Sequence, residues 1–176
     1  DEIPVYVKGA ELEVRTSVKD NDNKAVPSDT IAVTADGEEL KWTSDESLKK
    51  VNGLAAGDYF LVETKAPEGY KLAEAVPFTI TAEEAGTEKA DPITIKMYDE
   101  KTNVSILKVD KEGKALSGAT LEIQDSSKKA IEGLNWTTDG KAYDITGKLT
   151  SGHKYYLVET KAPDGYTIAD PIEFTL

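Results

Sequence analysis

Two side chains in the second half of the chain have the types and spacing for joint chemistry. In Val104-Ser-Ile-Leu-Lys108, the alternation of a strand puts Val104, Ile106 and Lys108 on one face. In Tyr155-Tyr-Leu-Val-Glu159, it puts Tyr155, Leu157 and Glu159 on one face. Both faces of the second segment are apolar, so alternation leaves open which one turns inward. If it is the Glu159 face, a lysine and a glutamate each end a core stripe. Burial disfavours the charged form, lowering an amine's pKa and raising a carboxyl's. A neutral amine beside a protonated carboxylic acid is a nucleophile beside a general acid. An Asn or Asp side chain within reach is then open to attack, giving an amide with loss of ammonia or water. The plainer alternative is that Lys108 extends to solvent while Glu159 hydrogen-bonds a turn.

The elements that must position these residues are repeated. Tyr59-Phe-Leu-Val-Glu63-Thr-Lys-Ala-Pro67-Glu-Gly69-Tyr70 returns as Tyr155-Tyr-Leu-Val-Glu159-Thr-Lys-Ala-Pro163-Asp-Gly165-Tyr166. A shorter likeness joins Asp20-x-x-x-Lys24-Ala-Val to Asp110-x-x-x-Lys114-Ala-Leu, which sets Val18 where the second copy has Lys108. Leu12-Glu-Val14-Arg-Thr16-Ser-Val18 alternates at period 2, and further strands are expected at 30–34, 75–81, 93–97, 120–123 and 171–176. Frequent turns with abundant Val, Ile, Thr and Tyr predict an all-β chain of β-sandwich type, and the repeat predicts two tandem domains. Residues 45–50 and 82–86 have room for single helical turns only.

Residues 1–9 read as an N-terminal strand, either the end of a preceding domain or an addition to the first. Residues 10–101 form the first domain and 102–176 the second, with almost no linker between them. Phe174-Thr-Leu176 matches Phe78-Thr-Ile80, so the second domain is expected to lack a counterpart of 93–99, its closing strand. Truncation, a strand donated in trans by residues 1–7 of a neighbour, and a self-sufficient domain are the three readings of that gap. In the donated strand, Gly9 would stand where Asp99 stands.

Composition narrows the functions. The chain has 176 residues, with 21 Lys+Arg against 33 Asp+Glu, for a net charge of −12. That balance, with Arg15 the only arginine, argues against nucleic acid or an anionic membrane as partner. Zero cysteines exclude disulfides, thiolate zinc and cysteine nucleophiles, and a Ser-His-Asp triad could use only His153. No apolar run reaches the roughly 20 residues of a membrane span. No signal peptide or sorting tail lies in the sequence, as expected of a mature fragment or excised piece. No cofactor or metal is implied, since no phosphate loop or Asp-x-Asp-x-Asp-Gly calcium loop occurs.

The repeated Tyr-x-Leu-Val-Glu-Thr-x-Ala-Pro-x-Gly-Tyr resembles the E box of CnaB-type (prealbumin-like) domains of Gram-positive surface adhesins and pilins. Residues 108–120, Lys-Val-Asp-Lys-Glu-Gly-Lys-Ala-Leu-Ser-Gly-Ala-Thr, resemble the same family. The resemblance implies a reverse Ig-like sandwich and an extracellular, cell-surface location. It also implies an intramolecular isopeptide bond between a first-strand lysine and a last-strand Asn or Asp, promoted by the E-box glutamate. Carried over, Lys108 and Glu159 match in the second domain, without an acceptor. In the first, Glu63 matches the glutamate and Asp99, in Met97-Tyr-Asp99, the acceptor. Lys19, or Lys8 if the first strand is 3–8, would have to supply the amine.

Three functions compete. A structural stalk or spacer module of a surface adhesin or pilin fits the double E box; its partners would be other domains of the parent protein, with sortase and other pilin subunits acting through that parent. A module binding a host protein or glycan would use loops or Trp42 and Trp136, which otherwise pack in the sheets. A hydrolase would need a carboxylate pair that no spacing singles out. Ala-Pro-x-Gly-Tyr turns the chain out of its strand, with Tyr70 and Tyr166 packed over the turn. His153 falls in a hairpin turn. Self-modification by isopeptide formation is single-turnover, so the chain is not read as an enzyme.

Overall fold

The computed structural model describes residues 6–85 and 92–176. Among them the regular structure is all strand, and no helix is long and apolar enough to cross a membrane. The chain forms two compact units. Unit 1 comprises residues up to Pro67 together with Lys71–Glu100; unit 2 comprises Glu68–Tyr70 and Lys101–Leu176.

Unit 1 is built on β1 (Glu11–Lys19), β2 (Ala25–Ile31), β3 (Lys41–Thr43), β4 (Gly57–Lys65) and β5 (Val76–Ile80). The sheet order is β2-β1-β4-β5, with β3 also paired to β1. Alternation along β1 and β4 turns Val14, Tyr59 and Leu61 into the core, with Ala32 and Leu40. Pro27 and Pro77 fall in β2 and β5, the strands at the ends of that order, where a missing donor is tolerated. The expected strand at 93–97 makes no ladder. From Ile95 onward its alternation still holds, because Ile95 and Met97 pack against the core while Lys96 and Tyr98 are exposed; Ile93, which would share the inward face, is exposed. Of the two expected helical turns, one forms. Ala85 N–H donates to Thr81 C=O, and Thr81 with Glu84 makes a reciprocal capping box.

Unit 2 contains β6 (Ser105–Ile106), β7 (Ser117–Gln124), β8 (Ala130–Asp139), β9 (Tyr143–Asp144), β10 (Lys154–Lys161) and β11 (Ile172–Thr175). Its larger sheet runs β11-β10-β7-β8, and β6 pairs with β9. Its core gathers Leu121 and Ile123 from β7, Leu134 and Trp136 from β8 and Tyr155 from β10, with Val104 and Ile106 packed alongside.

Strand for strand, β8-β7-β10-β11 repeats β2-β1-β4-β5. The registers agree: Leu12 faces Glu63 in unit 1, and Leu121 faces Glu159 in unit 2. Gly9-Ala10-x-Leu12-x-Val14 is therefore the counterpart of Gly118-Ala119-x-Leu121-x-Ile123, and Ala10 and Ala119 are both buried. This corrects the alignment of Asp20 with Asp110. The counterpart of Asp20 is Asp125, at the end of β7, and β1 corresponds to β7 rather than to the strand that precedes Lys108.

Candidate functional site

In β10 the inward face is the one carrying Tyr155, Leu157 and Glu159, because Tyr155 and Leu157 belong to the core. Glu159 is 6% exposed. Its Oε2 accepts the Ala169 N–H at 2.6 Å, holding the chain as it returns from the Ala-Pro-Asp-Gly-Tyr turn. Its Oε1 is buried, has no aligned hydrogen bond, and lies 3.5 Å from Lys108 Nζ. Lys108 shares the face of Val104 and Ile106, and its side chain is 20% exposed. The two residues singled out by alternation are thus together. The contact is an ion-pair distance without hydrogen-bond geometry, so the amine keeps a free direction for another group.

Unit 1 repeats the glutamate and changes its company. Glu63 is 3% exposed, and its Oε2 accepts the Ala73 N–H at 2.6 Å. The other carboxyl in contact is that of half-buried Asp99. Glu63 Oε1 and Asp99 Oδ1 are both buried and without a hydrogen-bond donor. Burial pushes both carboxyls above their usual range, and for Glu63 the neighbouring Asp99 adds to the effect. As carboxylates neither could donate to the other. One proton held between them turns the contact into a hydrogen bond.

Lys8 and Lys19 do not complete this site. The Lys8 side chain is 74% exposed and pairs with Glu46 at 3.7 Å. Lys19 is exposed at the far end of β1, paired with Ala25. Seven residues separate it from Leu12, the residue facing Glu63, which at strand rise is about 23 Å. Among the described residues, then, unit 1 brings Glu63 and Asp99 together, and unit 2 brings Lys108 and Glu159 together.

The remaining candidates take structural places. Trp136 is buried and stacks on Tyr143 with centroids 4.4 Å apart. Trp42 is half-buried beside the unit 1 core, facing Leu12 across β3 and β1. His153 is exposed. The residues that motif reading missed are Ala73 and Ala169. The repeat continues past its tyrosines, as Tyr70-Lys-Leu-Ala73 and Tyr166-Thr-Ile-Ala169, and that extension was the available signal.

Comparison with known proteins places this geometry. The family model for the SpaA prealbumin-like fold domain matches twice, over residues 6–97 and 102–176. A type 1 fimbrial subunit of Actinomyces viscosus is 33% identical over 95 residues, which is 45% of this chain and 17% of that protein. The chain therefore spans about a sixth of the length of this curated relative. Among solved structures, the TIE protein of Bacillus anthracis is similar at 24% identity and a TM-score of 0.41, over 99% of this chain and 29% of that one. A C-terminal fragment of the pilus adhesin SpaC from Lactobacillus rhamnosus GG is similar at 19% identity and a TM-score of 0.39, over 96% of this chain and 73% of that one. With one strand order and one buried glutamate clamp in both units, and a family match across each, the chain belongs to the SpaA prealbumin-like fold domain family.

Proposed function

We propose that this chain is a structural stalk or spacer module of a Gram-positive surface adhesin or pilin. The observation that carries this reading is the duplication of one arrangement: a core strand whose buried glutamate clamps the segment returning from its own turn. The fimbrial name of the Actinomyces relative supports it. In this reading the module lies outside the cell and works through neighbouring domains and pilin subunits of its parent protein, with sortase acting on that parent.

Each glutamate keeps its Oε1 for covalent stabilisation. Lys108 Nζ, as the neutral amine, attacks the side-chain carbonyl carbon of an Asp or Asn brought beside it on another strand. A C–N bond forms, the C–O or C–N bond to the leaving group breaks, and water or ammonia departs. Glu159 carries the proton from the attacking nitrogen to the leaving group, so the balance needs no further reagent. In unit 1, Glu63 and Asp99 await a lysine in the same sense.

Nuclear relaxation on the 176-residue chain tests the stalk reading. The expected result is one rotational correlation time for both units. Independent tumbling on a flexible hinge would overturn it.

A further inference from the structure

One tripeptide is treated in two ways by this fold. Glu68–Tyr70 belongs to unit 2, where its backbone is tied at three points. Gly69 N–H donates to Thr150 Oγ1 at 3.0 Å, and Gly69 C=O accepts the Thr102 N–H at 3.0 Å. Tyr70 C=O accepts the Ser151 N–H at 3.1 Å. Gly69 is buried, and a Cβ added there would lie 2.4 Å from the Gly147 carbonyl oxygen. The approach is backbone to backbone, which a side chain at this position would prevent.

The repeat of this tripeptide is Asp164–Tyr166. Gly165 has φ +82°, against +84° at Gly69, so the two turns have the same shape at this residue. That shape is held locally, since Tyr166 N–H donates to Pro163 C=O at 3.1 Å. Yet Gly165 is exposed with no atom within 4 Å of an added Cβ, and Tyr166 is 49% exposed. A turn alone would require the positive φ at both glycines. Only the first also meets a seat: Thr102, Gly147, Thr150 and Ser151.

We propose that Asp164–Tyr166 is a docking tongue that completes another prealbumin-like unit, one offering the seat that unit 2 offers to Glu68–Tyr70. The partner is a domain of this same kind, met through backbone hydrogen bonds and a glycine–glycine approach. The inference rests on the stalk reading for its purpose. Its test reads a local contact rather than a tumbling time, so either can fail alone.

The test appends a second copy of residues 81–176 after Leu176, continuing the repeat where Phe174-Thr-Leu176 matches Phe78-Thr-Ile80. Amide exchange is followed at Gly165 and at the core strands of the appended copy. The expected result is a slowing of Gly165 exchange by about tenfold or more relative to the 176-residue chain. G165A is then compared in both lengths. Its positive-φ cost is common to both, so an additional fall in the melting temperature of the longer chain reports the lost glycine–glycine approach. Protected core amides in the appended copy with Gly165 exchanging as before would overturn the proposal. So would an equal effect of G165A in both lengths. An appended copy whose core never gains protection counts against it as well, because the tongue is proposed to complete that unit.

Discussion

A glutamate carboxyl has two oxygens, and both E-box glutamates divide them. Oε2 is committed to a backbone N–H, of Ala73 in unit 1 and Ala169 in unit 2, and this fixes where Oε1 points. What meets Oε1 then decides the local electrostatics. Beside Lys108 it meets an amine, whereas beside Asp99 it meets a second carboxyl. The second case has a consequence for pH. Both folded-state values lie above the ordinary 3.8 for Asp and 4.5 for Glu, so folding favours the protonated forms. The pair's contribution to stability is full below those ordinary values and is lost as pH rises through the raised ones. Unit 1 should therefore be more resistant to urea in mild acid than at neutrality. Asp99→Asn supplies an amide donor that needs no proton. It should flatten that slope between about pH 4 and pH 8, and at neutral pH stabilise unit 1 by about 1 kcal/mol. Urea midpoints across that range check it; an unchanged slope would show that the two carboxyls do not share a proton.

Among the described residues, one turn that joins strands occurs three times. Asp20, Asp110 and Asp125 each use Oδ1 to accept the N–H groups two and four residues on. The third residue on has positive φ in every case: Asn23 at 59°, Gly113 at 81° and Lys128 at 62°. This recurrence explains what sequence could and could not supply. Alternation identified the Leu12–Val18 strand and the Lys108 and Glu159 faces, because period 2 is a local property. The E-box repeat identified the glutamates and their turns. The pairing of repeats upstream went astray, since the Asp20 turn resembles two later turns equally well by local pattern. Long-range register settled it, through Leu12 opposite Glu63 and Leu121 opposite Glu159. Whether residues 93–97 form a ladder strand likewise depends on a neighbouring edge, which no local pattern encodes. The turns themselves make a prediction. Asp125→Ala removes two hydrogen bonds from the β7–β8 hairpin and leaves Lys128 in its left-handed conformation without that support. A loss of about 1–2 kcal/mol is expected, or a fall of roughly 4–15 °C in the melting temperature of unit 2. A change under one degree would mean that the hairpin is held by its ladder alone.

At the scale of the whole molecule, the question is how a chain without cysteine stabilises small β-units. The proposed covalent step needs three groups in one place, and among the described residues they are divided. Glu63 lies with Asp99, and Glu159 with Lys108. Lys8 pairs with Glu46 at the surface, and Lys19 ends β1 far from Glu63. Proximity dominates the rate of amide formation: without an oriented partner, a carboxylate and an amine in water remain a salt pair rather than an amide. The 176-residue chain should therefore have an intact mass equal to that of its sequence. Denaturing mass spectrometry checks this directly, and the same sample digested should release Lys108 and Asp99 in unlinked peptides. A species lighter by one water or one ammonia would show that an amide forms within this chain after all. The linked peptides would then name the lysine and the acceptor that the described geometry keeps apart.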